Sequence, residues 1–211
     1  MTTKTYHRRH LPHYYPENSV FFVTFRLAGS LPISVIKQLK VEATEGLWRE
    51  KQNEISRWER QFTDYETTLN SLKNDARWLA DSRVADLVRD AIHYQDGRDY
   101  DLASYCIMPN HVHIVFGLGE HSMFDTDRQT GNLSNKTLSQ VMQSLKRYTA
   151  REANKILERS GPFWQNESFD RVIRSDEELE KIILYIMDNP VKAGLVKKWE
   201  EWKWNYSRFL F

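Results

Sequence analysis

An α+β fold is predicted for this chain, a central antiparallel sheet with helices mainly on one face. Three features predict it. Four short runs are rich in β-branched and aromatic residues. Longer segments with helical periodicity interleave them irregularly. Two of the runs are joined by Pro109-Asn110, a tight-turn signal, so they form a hairpin.

The first strand is Val20 to Leu27 (VFFVTFRL), ended by Gly29. Pro32 suits a helix start, and residues 33–80 are charge-rich with Leu, Trp and Ile at helical intervals. They are expected to form a helical insertion, as one long helix or a pair. Residues 82–94 form another helix, capped by Asp81 or Ser82, with Val84, Leu87, Val88, Ala91 and Ile92 on one face. Gln95-Asp96-Gly97 ends it. Tyr100 to Met108 and His111 to Leu118 are the hairpin strands. Residues 119–135 are polar, Gly-bearing and aperiodic, and are expected to be a flexible loop. Thr137 to about Arg159 is an amphipathic helix stopped by Gly161-Pro162. Phe169 to Arg174 is a short strand. Asp176 to Met187 is a helix capped by Ser175, and Asn189-Pro190 reads as its stop. The Trp-rich tail, with Trp199, Trp202 and Trp204, is expected to pack back on the domain.

The 211 residues fit one domain, residues 1–211, carrying an insertion. A hydrophobic content of 40% with 13% aromatics supports a packed core. Cys106 stands alone, which excludes an internal disulfide and a Cys-rich zinc site. It reads as a buried strand residue. No stretch is apolar enough to span a membrane, and a soluble cytoplasmic protein is expected. The net charge is +1, but it is unevenly spread. Residues 1–40 carry six Lys/Arg against one Glu, and residues 131–160 carry six against two acids. These segments could make a local phosphate-binding face, or simply be solvated helix faces.

His111 and His113 occupy positions i and i+2 of a strand, so both imidazoles point to one face. Two adjacent imidazoles are a natural half-site for a divalent metal; the alternative is a solvated histidine pair. On the helix 137–159, Leu138, Val141, Met142, Leu145 and Ile156 form a stripe that should rest on the sheet. Glu152 projects about 30° from the centre of that stripe at about 100° per residue. A carboxylate there needs a metal or a cation. Tyr148 lies one turn earlier, so the two side chains are neighbours. They could meet the histidines; Glu152 could equally pair with Arg147 or Arg151, and Tyr148 could be an interfacial core residue. Lys146, Arg147, Arg151 and Lys155 occupy the other faces and could take phosphates. A metal held by His111, His113 and Glu152, with Tyr148 as nucleophile, would suit phosphodiester transfer.

Met108-Pro109-Asn110-His111-Val112-His113 resembles the His-hydrophobic-His (HUH) motif of bacterial single-tyrosine transposases. The sequence most resembles the REP-associated tyrosine transposase branch. The segments FFVTFRLAGSLP, YCIMPNHVHIVF, SLKRYTAR, FWQNESFDRVIR and YIMDNPVKAGLV carry the resemblance in the family's order. It implies a ferredoxin-like HUH endonuclease domain that cleaves and rejoins single-stranded DNA near hairpins through a 5′-phosphotyrosine, in DNA transposition and recombination. It implies Mg²⁺ or Mn²⁺ as cofactor and palindromic hairpin DNA as partner, with the protein a monomer or homodimer, nucleoid-associated when DNA-bound. By motif position His111 and His113 match the metal histidines, and Tyr148 matches the nucleophile. The family's third ligand is a polar residue one helical turn after the tyrosine, often an amide; that position after Tyr148 is Glu152. Arg8 and Arg9, with His7, His10 and His13, could grip DNA at a hairpin base. Trp164 reads as core. Two other readings are a hairpin-binding protein with little catalysis and a metal-dependent phosphohydrolase that does not need Tyr148.

Overall fold

The computed structural model describes residues 6–8, 12–14, 18–31, 67, 69, 76–119, 124 and 133–209. Most of the expected helical insertion at 33–80 and of the loop at 119–135 lies outside these residues, as does Arg9. Near the start, β1 (Tyr6–Arg8) and β2 (Pro12–Tyr14) pair as an antiparallel ribbon, His7 opposite His13. The main sheet holds β3 (Ser19–Arg26), β4 (Asp101–Ile107), β5 (His111–Leu118), β6 (Phe169–Ile173) and β7 (Asn205–Ser207). Its order is β6-β3-β5-β4-β7, and every pairing is antiparallel. The helices are α1 (Ser82–Gln95), α2 (Leu138–Ile156), α3 (Asp176–Met187) and the short α4 (Asn189–Lys192).

Local chemistry explains where these elements start. Asp81 accepts a hydrogen bond from the Arg83 N–H and caps α1. Thr137 and Gln140 exchange bonds in a capping box at the start of α2. Ser175 accepts from the Glu178 N–H, and Asp176, Glu177 and Glu178 place negative charge at the N-terminus of α3. Gly97 has φ +73°, and this left-handed residue turns the chain from α1 toward β4.

Side chains alternate along each strand, so the sheet has two distinct faces. On one face Phe21, Val23, Phe25, Val112, Ile114 and Phe116 form a core with Val88 and Ile92 of α1 and Val141, Leu145 and Ala153 of α2. Burying each of the larger side chains contributes about 1.5–3 kcal/mol. On the other face Phe22, Cys106 and Val115 pack with Ile182 and Ile186 of α3. Two long helices cover the first face, as the sequence leads one to expect, and α3 additionally covers the second. The fold is α+β.

The Trp-rich tail does return to the domain, and it does so as a strand. β7 pairs with β4 and closes that edge of the sheet. Arg208 then fastens it, reaching Asp101 at 2.6 Å and Asp96 at 3.3 Å. No helix among the described residues is long and apolar enough to cross a membrane.

Candidate active site on the histidine face

β5 is the middle strand of five, so both of its faces are covered and both histidines are fully buried. His111 and His113 share the face of Val115, the one covered by α3. Register puts Thr24 and Cys106 beside His113, and Arg26 beside His111. The His113 ring stacks on Phe22, with centroids 5.7 Å apart.

The two imidazoles converge: their Nε2 atoms lie 2.9 Å apart. The outer nitrogens are both engaged. Asn110 donates its amide to the Leu69 carbonyl at 2.8 Å, which leaves Asn110 Oδ1 as the atom facing His111 Nδ1 at 2.6 Å. An amide oxygen only accepts, so His111 Nδ1 carries the proton and Nε2 presents a lone pair. His113 Nδ1 is 2.8 Å from the Thr24 hydroxyl. The Asn189 amide nitrogen lies 2.9 Å from His113 Nε2. With His113 likewise protonated at Nδ1 toward the Thr24 hydroxyl, two lone pairs would face one another, an arrangement that a shared cation stabilises. Two ligands bound at right angles with bonds of about 2.1 Å stand about 3 Å apart, so the spacing fits a common ion. The Asn189 carboxamide lies against His113 Nε2, and turned by 180° it presents oxygen there, the donor a hard cation prefers. The residues present fit a divalent metal, with outer hydrogen bonds that orient both rings.

Asn189 is buried and opens α4, directly after Asp188, which keeps right-handed helical dihedrals. The helical path thus continues from α3, and Tyr185 stands one turn before Asn189. Tyr185 is half-buried on the histidine face, with the Lys192 ammonium 4.3 Å above its ring.

Tyr148 and Glu152 are elsewhere. They lie on α2, whose buried stripe packs on Val112, Ile114 and Phe116, the opposite face of the sheet. Tyr148 is 46% exposed, and the Arg151 guanidinium lies 5.9 Å from its ring. Glu152 pairs with Arg151 at 2.6 Å and Lys155 at 3.0 Å, the salt-bridge alternative. Hydrogen bonds from Lys155 and then Arg151 hold its carboxyl below the usual range. Among the described residues no three His, Cys, Asp or Glu side chains could hold an ion together, so the set His111, His113 and Glu152 is not assembled. The correction is physical. Periodicity identified the buried side of α2, but not the sheet face it would meet.

The basic residues divide likewise. Arg147, Arg151 and Lys155 are exposed on the outer side of α2. Lys146, expected at a phosphate, instead turns inward and donates to the Gln165 and Asn166 carbonyls and the Ser168 hydroxyl at 2.7–3.2 Å. Arg8 lies in β1. Trp164 is core, as expected, and donates to the Thr149 hydroxyl at 2.8 Å. Asn189-Pro190, read from sequence as a helix stop, instead starts a new helical turn and supplies a contact to His113. Periodicity and composition do not mark Tyr185, Asn189, Thr24 or Asn110 as site residues. The available signal was the tyrosine–amide spacing in YIMDNPVKAGLV, the same one-turn spacing that the family resemblance implies.

No family model matches the chain. A curated Haemophilus influenzae protein named "Putative REP-associated tyrosine transposase" is 27% identical over 110 residues, 52% of this chain. The match spans 59% of that relative's length. A solved structure of a REP-associated tyrosine transposase bound to a REP hairpin shares the fold, with a TM-score of 0.50 and 18% identity. The alignment covers 97% of this chain and 82% of that one. In sequence and in fold, this chain is similar to REP-associated tyrosine transposases.

Proposed function

We propose that this protein is a metal-dependent HUH transposase that cleaves and rejoins single-stranded DNA beside hairpins, with Tyr185 as the nucleophile. The observation that carries the reading is that His113 Nε2 lies 2.9 Å from both His111 Nε2 and the Asn189 amide, with Tyr185 one helical turn from that amide. His111, His113 and Asn189 would hold Mg²⁺ or Mn²⁺, which when bound supplies Lewis-acid polarisation of the scissile phosphate. The hairpin-bound relative supports palindromic DNA as the partner.

Tyr185 Oη attacks phosphorus, and the bond from phosphorus to the 3′ oxygen breaks. The phenol gives up its proton to a base or water, and the departing 3′ oxygen takes one up. The products are a 5′-phosphotyrosine and a free 3′-OH, and attack by another 3′-OH reverses the step and joins strands. Asn110 and Thr24 act through the histidines, holding the rings so that both Nε2 atoms face inward.

Covalent capture tests this reading. The full chain is incubated with a labelled single-stranded hairpin oligonucleotide from the flanks of its gene, with Mn²⁺ or with EDTA. The expected result is a metal-dependent DNA adduct on a denaturing gel, lost in Tyr185→Phe and retained in Tyr148→Phe. Loss in Tyr148→Phe alone would return the nucleophile to α2. Tight hairpin binding without any adduct would favour a DNA-binding protein with little catalysis.

A further inference from the structure

We propose that Arg26 binds the scissile phosphodiester, donating to a non-bridging phosphate oxygen beside the histidine pair. The proposal rests on the phosphotransfer reading above and adds a residue to it. Arg26 is the last residue of β3 and pairs with His111 in the sheet register, so both side chains project to the same face. It is only 5% exposed. A guanidinium carries five N–H donors, yet the hydrogen bond seen from this one goes to the neutral Ser30 hydroxyl at 3.2 Å. Among the described residues no carboxylate pairs with it.

A buried cation with so little compensation is unfavourable in the free protein. A second cation lies close by. The Lys146 ammonium is lowered to about 8, first by burial and then by the Arg26 charge. Glu167 acts on Lys146 in the opposite sense, but it is exposed. Lys146 already has three acceptors in the 165–168 segment, which leaves Arg26 as the cation with donors to offer. A phosphate between Arg26 and the histidines would relieve the like-charge repulsion and give the fork a planar pair of acceptors. As charge builds on the phosphate oxygens during attack, a preorganised guanidinium stabilises it more than it stabilises the ground state.

The test uses the full chain as wild type, Arg26→Gln and Arg26→Lys. Millimolar inorganic phosphate is expected to raise the melting temperature of the wild type, and Arg26→Gln is expected to lose that shift. On the hairpin oligonucleotide, single-turnover cleavage by Arg26→Gln is expected to fall roughly 100-fold, with hairpin Kd held within about threefold. A phosphorothioate at the cleaved position should slow the wild type more than Arg26→Gln, which separates the scissile phosphate from its neighbours along the strand. Arg26→Lys keeps the charge and loses the fork, and a loss of roughly tenfold is expected. Wild-type cleavage by Arg26→Gln, or an unchanged phosphate shift, overturns the assignment. If Arg26→Gln does not fold, Arg26→Lys decides by the cleavage rate alone: a roughly tenfold loss supports the assignment and wild-type cleavage overturns it. If no protein in the set cleaves DNA, the catalytic reading has failed, and the phosphate shift still decides for or against Arg26.

Discussion

On one face of the sheet β5 presents Val112, Ile114 and Phe116 to α1 and α2; on the other it presents His111, His113 and Val115 to α3. The strand is buried throughout, so burial does not separate the two. Composition does. The first face is closed by aliphatic and aromatic contacts. The second brings Thr24, Arg26, His111, His113 and Asn189 together out of solvent. Polar groups survive there because partners satisfy them: Asn110 on His111, and Thr24 and Asn189 on His113. One strand therefore serves stability through its even-numbered residues and chemistry through its odd-numbered ones, and substitutions on each should be read out by different measurements.

The largest expected effect breaks the comparison if it fails. Tyr185→Phe on the histidine face should reduce cleavage by more than about 1000-fold. Tyr148→Phe on α2 should leave the rate essentially unchanged in the same gel assay. Next, Asn189→Ala should raise the Mn²⁺ concentration needed for half-maximal cleavage by roughly 10–100-fold. Glu152→Gln should leave that titration where it was, since its partners are Arg151 and Lys155. On the apolar face, Leu145→Ala should destabilise the protein by about 2–5 kcal/mol in urea unfolding, with cleavage per folded molecule preserved.

The smallest effect concerns Lys146 at the rim. Its folded value of about 8 lies below the ordinary 10.5. The unfolded chain then holds more protons between those values, and stability should rise with pH through that window. Lys146→Met should remove a rise of about 1 kcal/mol, after allowance for solvent screening of a half-buried group. A flat difference between the two proteins from pH 8 to 10.5 would remove burial of this ammonium as a factor.

Much of the fold was legible because its signals are local. Alternation and β-branching placed β3, β4, β5 and β6, and cap candidates at Asp81 and Ser175 placed two helix starts. The histidine pair was legible from the two-residue strand period. The rest depends on contacts between distant segments. Periodicity gives a helix a buried side without saying what it is buried against, so the Tyr148–Glu152 pair and the Tyr185–Asn189 pair look alike in spacing. Asn189 was further disguised by Pro190, which reads as a stop although the first turn of a helix tolerates proline. β7 is three residues long and is held by pairing with β4 and by Arg208. A strand that short carries no periodic signal of its own.

The proline after Asn189 has a consequence for the protein's ageing. Asparagine deteriorates in neutral solution when the backbone nitrogen of the following residue attacks its carboxamide and expels ammonia through a cyclic imide. The nitrogen that follows Asn189 belongs to Pro190 and has no hydrogen to lose. That route to aspartate is closed, so the neutral amide against His113 keeps its chemical identity over the lifetime of the molecule.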